Sequence, residues 1–147
     1  MNPDELKATL GLAPLPHEGG WWAQTHLDDH STAIYYFLEA GEFSALHRLP
    51  HPEIYHWYRG SPLELLVLHP DGSTSRPVLG PDLGAGERPQ LTVPAHAWQG
   101  SSPTGDWSLV GTTMAPGYRQ EDFELGDRAT LTATYPDAAE RIRQLTT

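Results

Sequence analysis

The chain has 147 residues and no cysteine, and 19 acidic against 9 basic side chains give it a formal net charge of -10. This length suits one hydrophobic core, so we expect a single domain over residues 1–147. The lack of cysteine excludes disulfides, thiolate metal ligands and a cysteine nucleophile. The few basic residues are scattered, which argues against nucleic acid and anionic membranes as partners. No apolar run approaches the roughly 20 residues that span a bilayer, and the N-terminus lacks a secretion-signal pattern, so we expect a cytoplasmic protein.

A short helix is predicted at the start of the chain. Asn2 is a capping residue, Pro3 occupies the first helical position, and Gly11 stands where a C-terminal cap belongs. Candidate strands then recur at short intervals, at residues 21–26, 32–39, 43–48, 53–59, 63–69, 74–79, 90–93 and 107–114. These strands follow one another with no helix between them.

Two further elements are indicated by turn and capping residues. The tripeptide Pro70-Asp71-Gly72 is typical of a tight turn, so residues 63–79 are predicted to form a hairpin. Residues 138–145 have helical composition and are predicted to form a terminal helix that begins after Pro136 and Asp137. Because parallel pairing needs crossover connections of a dozen residues or more, eight closely spaced strands favour an all-β antiparallel sandwich or barrel.

The segment from Gly41 to Gly60 carries the most chemistry. Period-two alternation places Glu53, Tyr55 and Trp57 on one face of their strand and His56 on the other. If the first face lines the interior, Glu53 must be neutralised, hydrogen-bonded or bound to a metal. His47 on the preceding strand is its natural partner.

This segment resembles the first motif of the cupin superfamily, which places a glycine, a His-x-His pair, a glutamate and a second glycine at fixed spacing. Gly41, His47, Glu53 and Gly60 match that spacing, but Leu49 occupies the second histidine position. The second cupin motif, Pro-x-Gly-x-x-His, resembles Pro94-Ala95-His96-Ala97-Trp98-Gln99, so that Gln99 stands at the third histidine. Two of the four superfamily metal ligands are therefore replaced.

Nearly the whole chain resembles one subfamily, the uncharacterised DUF985 or cupin-5 group. The matching segments are Pro16-His17-Glu18-Gly19-Gly20-Trp21, Ser31-Thr32-Ala33-Ile34-Tyr35-Tyr36, His47-Arg48, Glu53-Ile54-Tyr55-His56, Gly60-x-Pro62-Leu63, Pro70-Asp71-Gly72, Leu79-Gly80-x-Asp82-Leu83, Val93-Pro94-Ala95-x-x-Trp98-Gln99, Ala115-Pro116-Gly117-Tyr118 and Asp122-Phe123-Glu124. The resemblance implies a cupin barrel (a double-stranded β-helix or jelly roll), a homodimer and an aromatic-lined pocket. It implies no settled activity.

The trio His47, Glu53 and Gln99 supports two interpretations. The first is a reduced metal site, in which imidazole, carboxylate and amide groups hold one divalent transition metal such as Zn, Mn, Fe or Ni. The second is a metal-free polar cluster that binds a small molecule directly. His51 is a candidate third strong ligand, although it lies between prolines.

Other side chains are candidates for substrate binding. Glu18 precedes two glycines, which indicates either close approach to a ligand or a simple turn into the first strand. A set of aromatic residues exceeds what so small a core needs, so some of them are expected to form the pocket wall, together with Gln99: Trp21, Tyr36, Tyr55, Trp57 and Trp98. Asp122 and Glu124 either lie in a segment that folds back across the pocket mouth or are ordinary solvated surface residues.

The leading hypothesis is a sugar- or metabolite-directed isomerase, epimerase or lyase in which His47 and Glu53 act as an acid/base pair. Such an enzyme removes a proton beside a carbonyl and returns it elsewhere. One alternative is a metal-dependent cupin oxygenase or isomerase. The other is a non-catalytic module that binds or senses a metabolite.

Overall fold

In the computed structural model, which describes residues 1–147, two six-stranded antiparallel sheets pack face to face. The strands are β1 Ala13–Pro14, β2 Trp21–Leu27, β3 Thr32–Glu39, β4 Ser44–Arg48, β5 Glu53–Gly60, β6 Leu63–Leu68, β7 Thr74–Ser75, β8 Val78–Leu79, β9 Gln90–Val93, β10 Trp98–Pro103, β11 Trp107–Met114 and β12 Glu124–Leu125. The helices are α1 Pro3–Leu10, α2 Arg128–Thr134 and α3 Ala139–Gln144, with single 3-10 turns at Leu83–Ala85, Gln120–Asp122 and Pro136–Ala138. The predicted all-β sandwich is confirmed.

The strand order brings distant parts of the chain together. The first sheet runs β1-β2-β3-β11-β5-β9, and the second runs β12-β4-β10-β6-β7 with β8 also paired to β6. The late strands β10 and β11 lie inside the two sheets, where β10 separates β4 from β6 and β11 separates β3 from β5. The consecutive strands β4, β5 and β6 thus alternate between the two sheets, as do β10 and β11.

The main core fills the space between the sheets at one end of the sandwich. It joins Tyr36 and Tyr55 of the first sheet to Leu63, Leu65 and Val67 of the second. The β6 sequence LELLVL is apolar on both faces because its outer face is also covered: C-terminal helix residues pack on Leu66 and Leu68 there. Both faces of β6 are therefore largely apolar and buried.

Helix α1 covers part of the outer face of the first sheet. Its Leu6 packs on Phe37 of β3 and Leu109 of β11, and all three side chains are buried. The predicted cap is confirmed, since the Asn2 side chain accepts a hydrogen bond from the Glu5 amide and Gly11 ends the helix in the left-handed region at φ 67°. None of the helices has the length and apolarity needed to cross a membrane.

The predicted hairpin and the predicted face assignment on β5 are also confirmed. Strand β6 pairs antiparallel with β7 and β8, and Gly72 takes a positive φ of 92° in the turn. On β5, Glu53 and Tyr55 are buried between the sheets, whereas His56 faces the opposite side and contacts the Thr113 hydroxyl at 2.9 Å.

Several elements differ from the sequence prediction. The predicted terminal helix begins one residue later and is preceded by a helix, α2, that the sequence analysis did not predict. Strands β1, β10 and β12 were likewise not predicted, and the predicted strand 74–79 is two short strands. Strand β10 has few apolar residues, since its glycine and serines lie between two strands of the same sheet. Composition alone therefore does not indicate a strand at this position.

Candidate functional site

A cavity lies between the two sheets beside the leucine-rich core, and Tyr36 and Tyr55 belong to both. Fifteen residues line it, and its empty volume is about 660 Å³ with the open mouth included. The structure brings five of the predicted site residues into its wall: Glu18, Tyr36, His47, Glu53 and Tyr55. His47 comes from β4 of the second sheet and Glu53 from β5 of the first, so the two sheets present one titratable group each to the same space.

The His47 ring is held in one orientation. Its Nδ1 atom lies 2.7 Å from the main-chain oxygen of Ala45, and Phe123 stacks on the ring with centroids 5.2 Å apart. Because a carbonyl oxygen only accepts, Nδ1 carries a proton, and Nε2 is the ring nitrogen that is left for a ligand. That Nε2 atom lies 3.7 Å from Oε1 of Glu18.

Glu53 is a buried carboxyl group with one unsatisfied oxygen. Its side chain is 8% exposed, and Oε1 has no hydrogen-bond partner. Burial raises the pKa of Glu53 above its ordinary value, and the nearby Glu18 raises it further, while His47 opposes this shift. A carboxyl group in such surroundings favours the protonated form and can act as an acid.

Glu18 is fixed by the turn between β1 and β2. Its main-chain oxygen accepts a hydrogen bond from the Ala45 amide at 2.8 Å, and its Oε2 accepts one from the Ser44 hydroxyl at 2.9 Å. Gly20, at φ 76°, has no room for a side chain because a Cβ atom would lie 2.7 Å from Leu38 and 2.8 Å from the Tyr36 hydroxyl. The glycine pair therefore allows both the unusual backbone angles of this turn and its close packing against β3. The turn in this way directs the Glu18 side chain toward His47.

Two buried tyrosines form the inner wall. The Tyr36 hydroxyl donates to the main-chain oxygen of Gly19 at 2.5 Å, and the Tyr55 hydroxyl donates to Oε1 of Gln99 at 2.5 Å. Burial, reinforced by the carboxylates nearby, raises the pKa of both tyrosines well above the ordinary value. Both side chains are therefore neutral phenols.

Four predicted site residues lie outside the cavity wall. Trp21 faces the outer side of the first sheet, where Lys7 lies 4.0 Å above its ring, and Trp98 packs on the C-terminal helix cluster. Trp57 packs against the main core and donates to the Ser61 oxygen at 3.3 Å. Gln99 is buried behind the wall, where it supports Tyr55.

The cavity wall also contains residues that the sequence analysis did not select. Trp22 and Gln24 line the cavity, whereas Trp21 does not, because the even-numbered residues of β2 face inward. They lie in register with Tyr36 and Ile34 of β3. Alternation alone indicates that one of the adjacent tryptophans faces inward, but not which one. The remaining side chains of this group are Leu15, Thr32, Ile34, Leu49, Thr112, Met114, Tyr118 and Gln120.

The segment of residues 115–123 between β11 and β12, here called the mouth segment, contributes to the cavity wall, whereas Asp122 and Glu124 do not line the cavity. Tyr118 and Gln120 line the cavity from this segment, and the Tyr118 amide donates to the Thr32 hydroxyl at 2.9 Å. Partial burial, with Glu18 and Glu53 nearby, raises the pKa of Tyr118 to about 12. Glu124 pairs with Arg48 at 2.8 Å on the surface.

The residues at the cupin ligand positions do not fit a tightly held transition metal. Leu49 is apolar and only 4% exposed, and Oε1 of Gln99 already accepts the Tyr55 proton. Only His47 and Glu53 remain as donors at these positions. No three His, Cys, Asp or Glu side chains lie close enough together to hold a metal ion.

Comparison with known proteins identifies the fold and the family. A protein from Shewanella oneidensis of known crystal structure is 33% identical, with a TM-score of 0.94 over 100% of this chain and 98% of that one. A hypothetical protein from Leishmania major is 28% identical, with a TM-score of 0.88 over 99% of each chain. No curated protein matches the sequence.

More distant structures share the fold alone. A mutant of Bacillus subtilis oxalate decarboxylase is 10% identical, with a TM-score of 0.64 over 91% of this chain and 37% of that one. A cupin 2 conserved barrel domain protein from Rhodopseudomonas palustris is 16% identical, with a TM-score of 0.64 over 92% of this chain and 90% of that one. The profile of the Cupin_5 family, described as Cupin superfamily (DUF985), matches residues 4–126, and the chain therefore belongs to this family.

Proposed function

We propose that this cupin is a small-molecule enzyme of the isomerase, epimerase or lyase kind, with His47 as base and Glu53 as acid. One observation carries the proposal: the two groups line one cavity with complementary proton-transfer properties. Nε2 is the nitrogen of His47 that is available to take up a substrate proton, because Nδ1 is committed to Ala45. The pKa of Glu53 is raised by burial, and its Oε1 has no partner within the protein.

The proposed reaction follows from the roles of His47 as base and of the Glu53 carboxyl group as acid. Nε2 of His47 removes a proton from a carbon next to a carbonyl group, while the Glu53 carboxyl donates its proton to the carbonyl oxygen and so forms an enol. Return of the proton from the His47 imidazolium to the neighbouring carbon gives an isomer, and delivery of a proton from water to the opposite face of the same carbon gives an epimer. Loss of a group next to the enol gives elimination. Glu18 stabilises the imidazolium that forms, since its Oε1 lies 3.7 Å from Nε2.

A deuterium-exchange assay tests this proposal without advance knowledge of the substrate. The protein is incubated in D₂O with a panel of sugars and other carbonyl metabolites, and mass spectrometry follows deuterium uptake and new products. His47→Gln and Glu53→Gln should each lower the exchange rate by about 100-fold or more. The matched controls, His69→Gln on the hairpin and Glu140→Gln on the exposed side of α3, should retain it. Unchanged exchange in either cavity variant, with a native circular dichroism spectrum, would refute the acid/base assignment.

A non-catalytic binding module is the second candidate. It is favoured by the replacement of two of the four superfamily metal-ligand positions, by Leu49 and Gln99. Such a module predicts a rise in thermal stability with a ligand from the panel but neither deuterium uptake nor product. Exchange above the solvent background for any compound would exclude pure binding.

We propose further that the protein is a homodimer that associates through the outer face of the first sheet. Tyr58 is 44% exposed there and makes an edge-to-face contact with Tyr35 at 6.1 Å. Ile54 lies on the same side of β5 and is half-buried. Light scattering after size exclusion tests this, because Tyr58→Lys should produce a monomer, whereas Leu83→Lys, at an exposed leucine elsewhere, should leave the dimer intact.

A further inference from the structure

The charge of the cavity wall is one-sided. Among the fifteen lining residues there are two carboxyl groups, Glu18 and Glu53, and no lysine or arginine. Arg119 of the mouth segment is paired with Glu121, and Arg48, which follows His47 in the sequence, is paired with Glu124. A phosphate or carboxylate group on a ligand would therefore meet the negative charge of Glu18 with no lysine or arginine in the wall to offset it.

Three buried side chains of the wall, Tyr36, Tyr55 and His47, present acceptors to the cavity. The two tyrosine hydroxyl protons are committed within the protein: Tyr36 donates to the main-chain oxygen of Gly19, and Tyr55 donates to Gln99. Nδ1 of His47 donates to Ala45, which leaves the acceptor Nε2 facing the cavity. What these three side chains offer a ligand is lone pairs.

Glu53 provides an independent indication that a ligand completes this wall. The residue is only 8% exposed, it lines the cavity, and its Oε1 has no hydrogen-bond partner. Buried polar oxygens without a partner are rare and destabilising, so this one marks a place where a polar group of a ligand is accommodated.

The rest of the wall suits the body of an organic cation. Trp22 and Tyr118 line the outer part of the cavity, and aromatic faces attract ammonium and guanidinium groups as well as flat apolar rings. The formal net charge of -10 also raises the local concentration of cationic ligands around the protein.

Building on the proposed function of the same cavity, we propose that its ligand carries a protonated amine or amidine group, which binds at the carboxylate of Glu18 next to His47. An ammonium group placed at Oε1 of Glu18 puts its attached carbon beside Nε2 of His47, since these two atoms lie 3.7 Å apart. Glu53 then remains free to donate to a carbonyl oxygen. The substrate class is an amine-bearing carbonyl compound, and anionic sugars and sugar nucleotides are excluded.

Matched ligand trios test this inference on the wild-type protein. One trio is benzylamine, benzyl alcohol and benzoate; the other is D-glucosamine, D-glucose and D-glucuronate. Ligand-observed NMR titration measures the Kd of each compound. In at least one trio the amine should bind about tenfold more tightly than the alcohol, and the carboxylate should not bind. Equal or tighter binding of the alcohol or the carboxylate, or no binding of either amine at millimolar concentration, overturns the proposal.

Two variants locate the amine. Glu18→Gln should weaken amine binding about tenfold and leave the alcohol unchanged, whereas Glu140→Gln, on the exposed side of α3, should change neither. Equal amine affinity in wild type and Glu18→Gln overturns the placement. The readout is separate from catalysis: amine binding without deuterium exchange would refute only the acid/base mechanism. Turnover of a neutral compound by a protein that binds no amine would refute only the ligand class.

Discussion

Nδ1 of His47 lies 2.7 Å from the main-chain oxygen of Ala45, two residues earlier on the same strand. This contact within one strand determines which nitrogen of the ring faces the cavity, and it does so independently of any ligand. Stacking by Phe123 from the mouth segment holds the same orientation from the other side. The site therefore has its base oriented before a substrate binds, which lowers the entropic cost of reaching a reactive geometry.

Replacement of Glu53 by glutamine should change how stability depends on pH. Because burial raises the Glu53 pKa in the folded state, this residue binds its proton more tightly there than in the unfolded chain. Its contribution to the free energy of unfolding is complete below the ordinary pKa of 4.5 and is lost as pH rises through the folded pKa, by at most about 1.4 kcal/mol per pH unit. Glu53→Gln should remove this slope in urea unfolding measured at a series of pH values.

The control for this experiment is Glu140→Gln, which removes one negative charge at an exposed position. It should preserve the wild-type slope. Identical pH profiles of wild type and Glu53→Gln would mean that Glu53 titrates in the folded protein as it does in the unfolded chain.

Replacement of Gly20 by alanine should be much more destabilising than replacement of Gly72. Both glycines have positive φ, but a Cβ atom at Gly72 meets nothing within 4 Å, whereas one at Gly20 lies 2.7 Å from Leu38. Gly72→Ala should therefore lower the free energy of unfolding by only about 1–2 kcal/mol of backbone strain. Gly20→Ala should lose about 1–3 kcal/mol more through overpacking. Equal losses in denaturant titrations would show that the turn opens to accept the methyl group.

Residue patterns predicted the parts of the site that depend on local geometry. Alternation along β5 placed Glu53 and Tyr55 inside and His56 outside, because a strand repeats every two residues whatever it packs against. The capped helix α1 and the hairpin at Gly72 were predicted for the same reason, since caps and turns depend on neighbouring residues.

The remaining features depend on contacts between distant segments. Trp22 faces the cavity rather than Trp21 because α1 covers the outer face of the sheet at Trp21. Gln99 supports Tyr55 from behind the wall because β10 inserts between β4 and β6. Neither the covering helix nor the order of strands in the sheet is visible in a local pattern.

Removal of the Tyr55 hydroxyl should destabilise the protein without altering its fold. Tyr55→Phe leaves Oε1 of the buried Gln99 without its donor, which should lower the free energy of unfolding by about 1–3 kcal/mol. Tyr118→Phe is the matched control, because that hydroxyl donates to the exposed Gln120 and water replaces the contact. Thermal and urea unfolding of both variants measure the difference. Similar stabilities for the two would show that water reaches Gln99.

Introduction of a histidine at Leu49 should create a metal site in this cavity. Leu49 lines the cavity with His47 and Glu53, and it occupies the second histidine position of the superfamily motif. A third strong donor completes the minimum that Zn²⁺ needs in a protein site, so Leu49→His should bind Zn²⁺ at least about tenfold more tightly than wild type. Isothermal titration of tag-free protein measures both affinities. Leu49→Phe, with a ring that cannot coordinate, should resemble wild type. Tight Zn²⁺ binding by wild type that is lost in His47→Gln would instead show that the present donors suffice, and the metal-free mechanism would be abandoned.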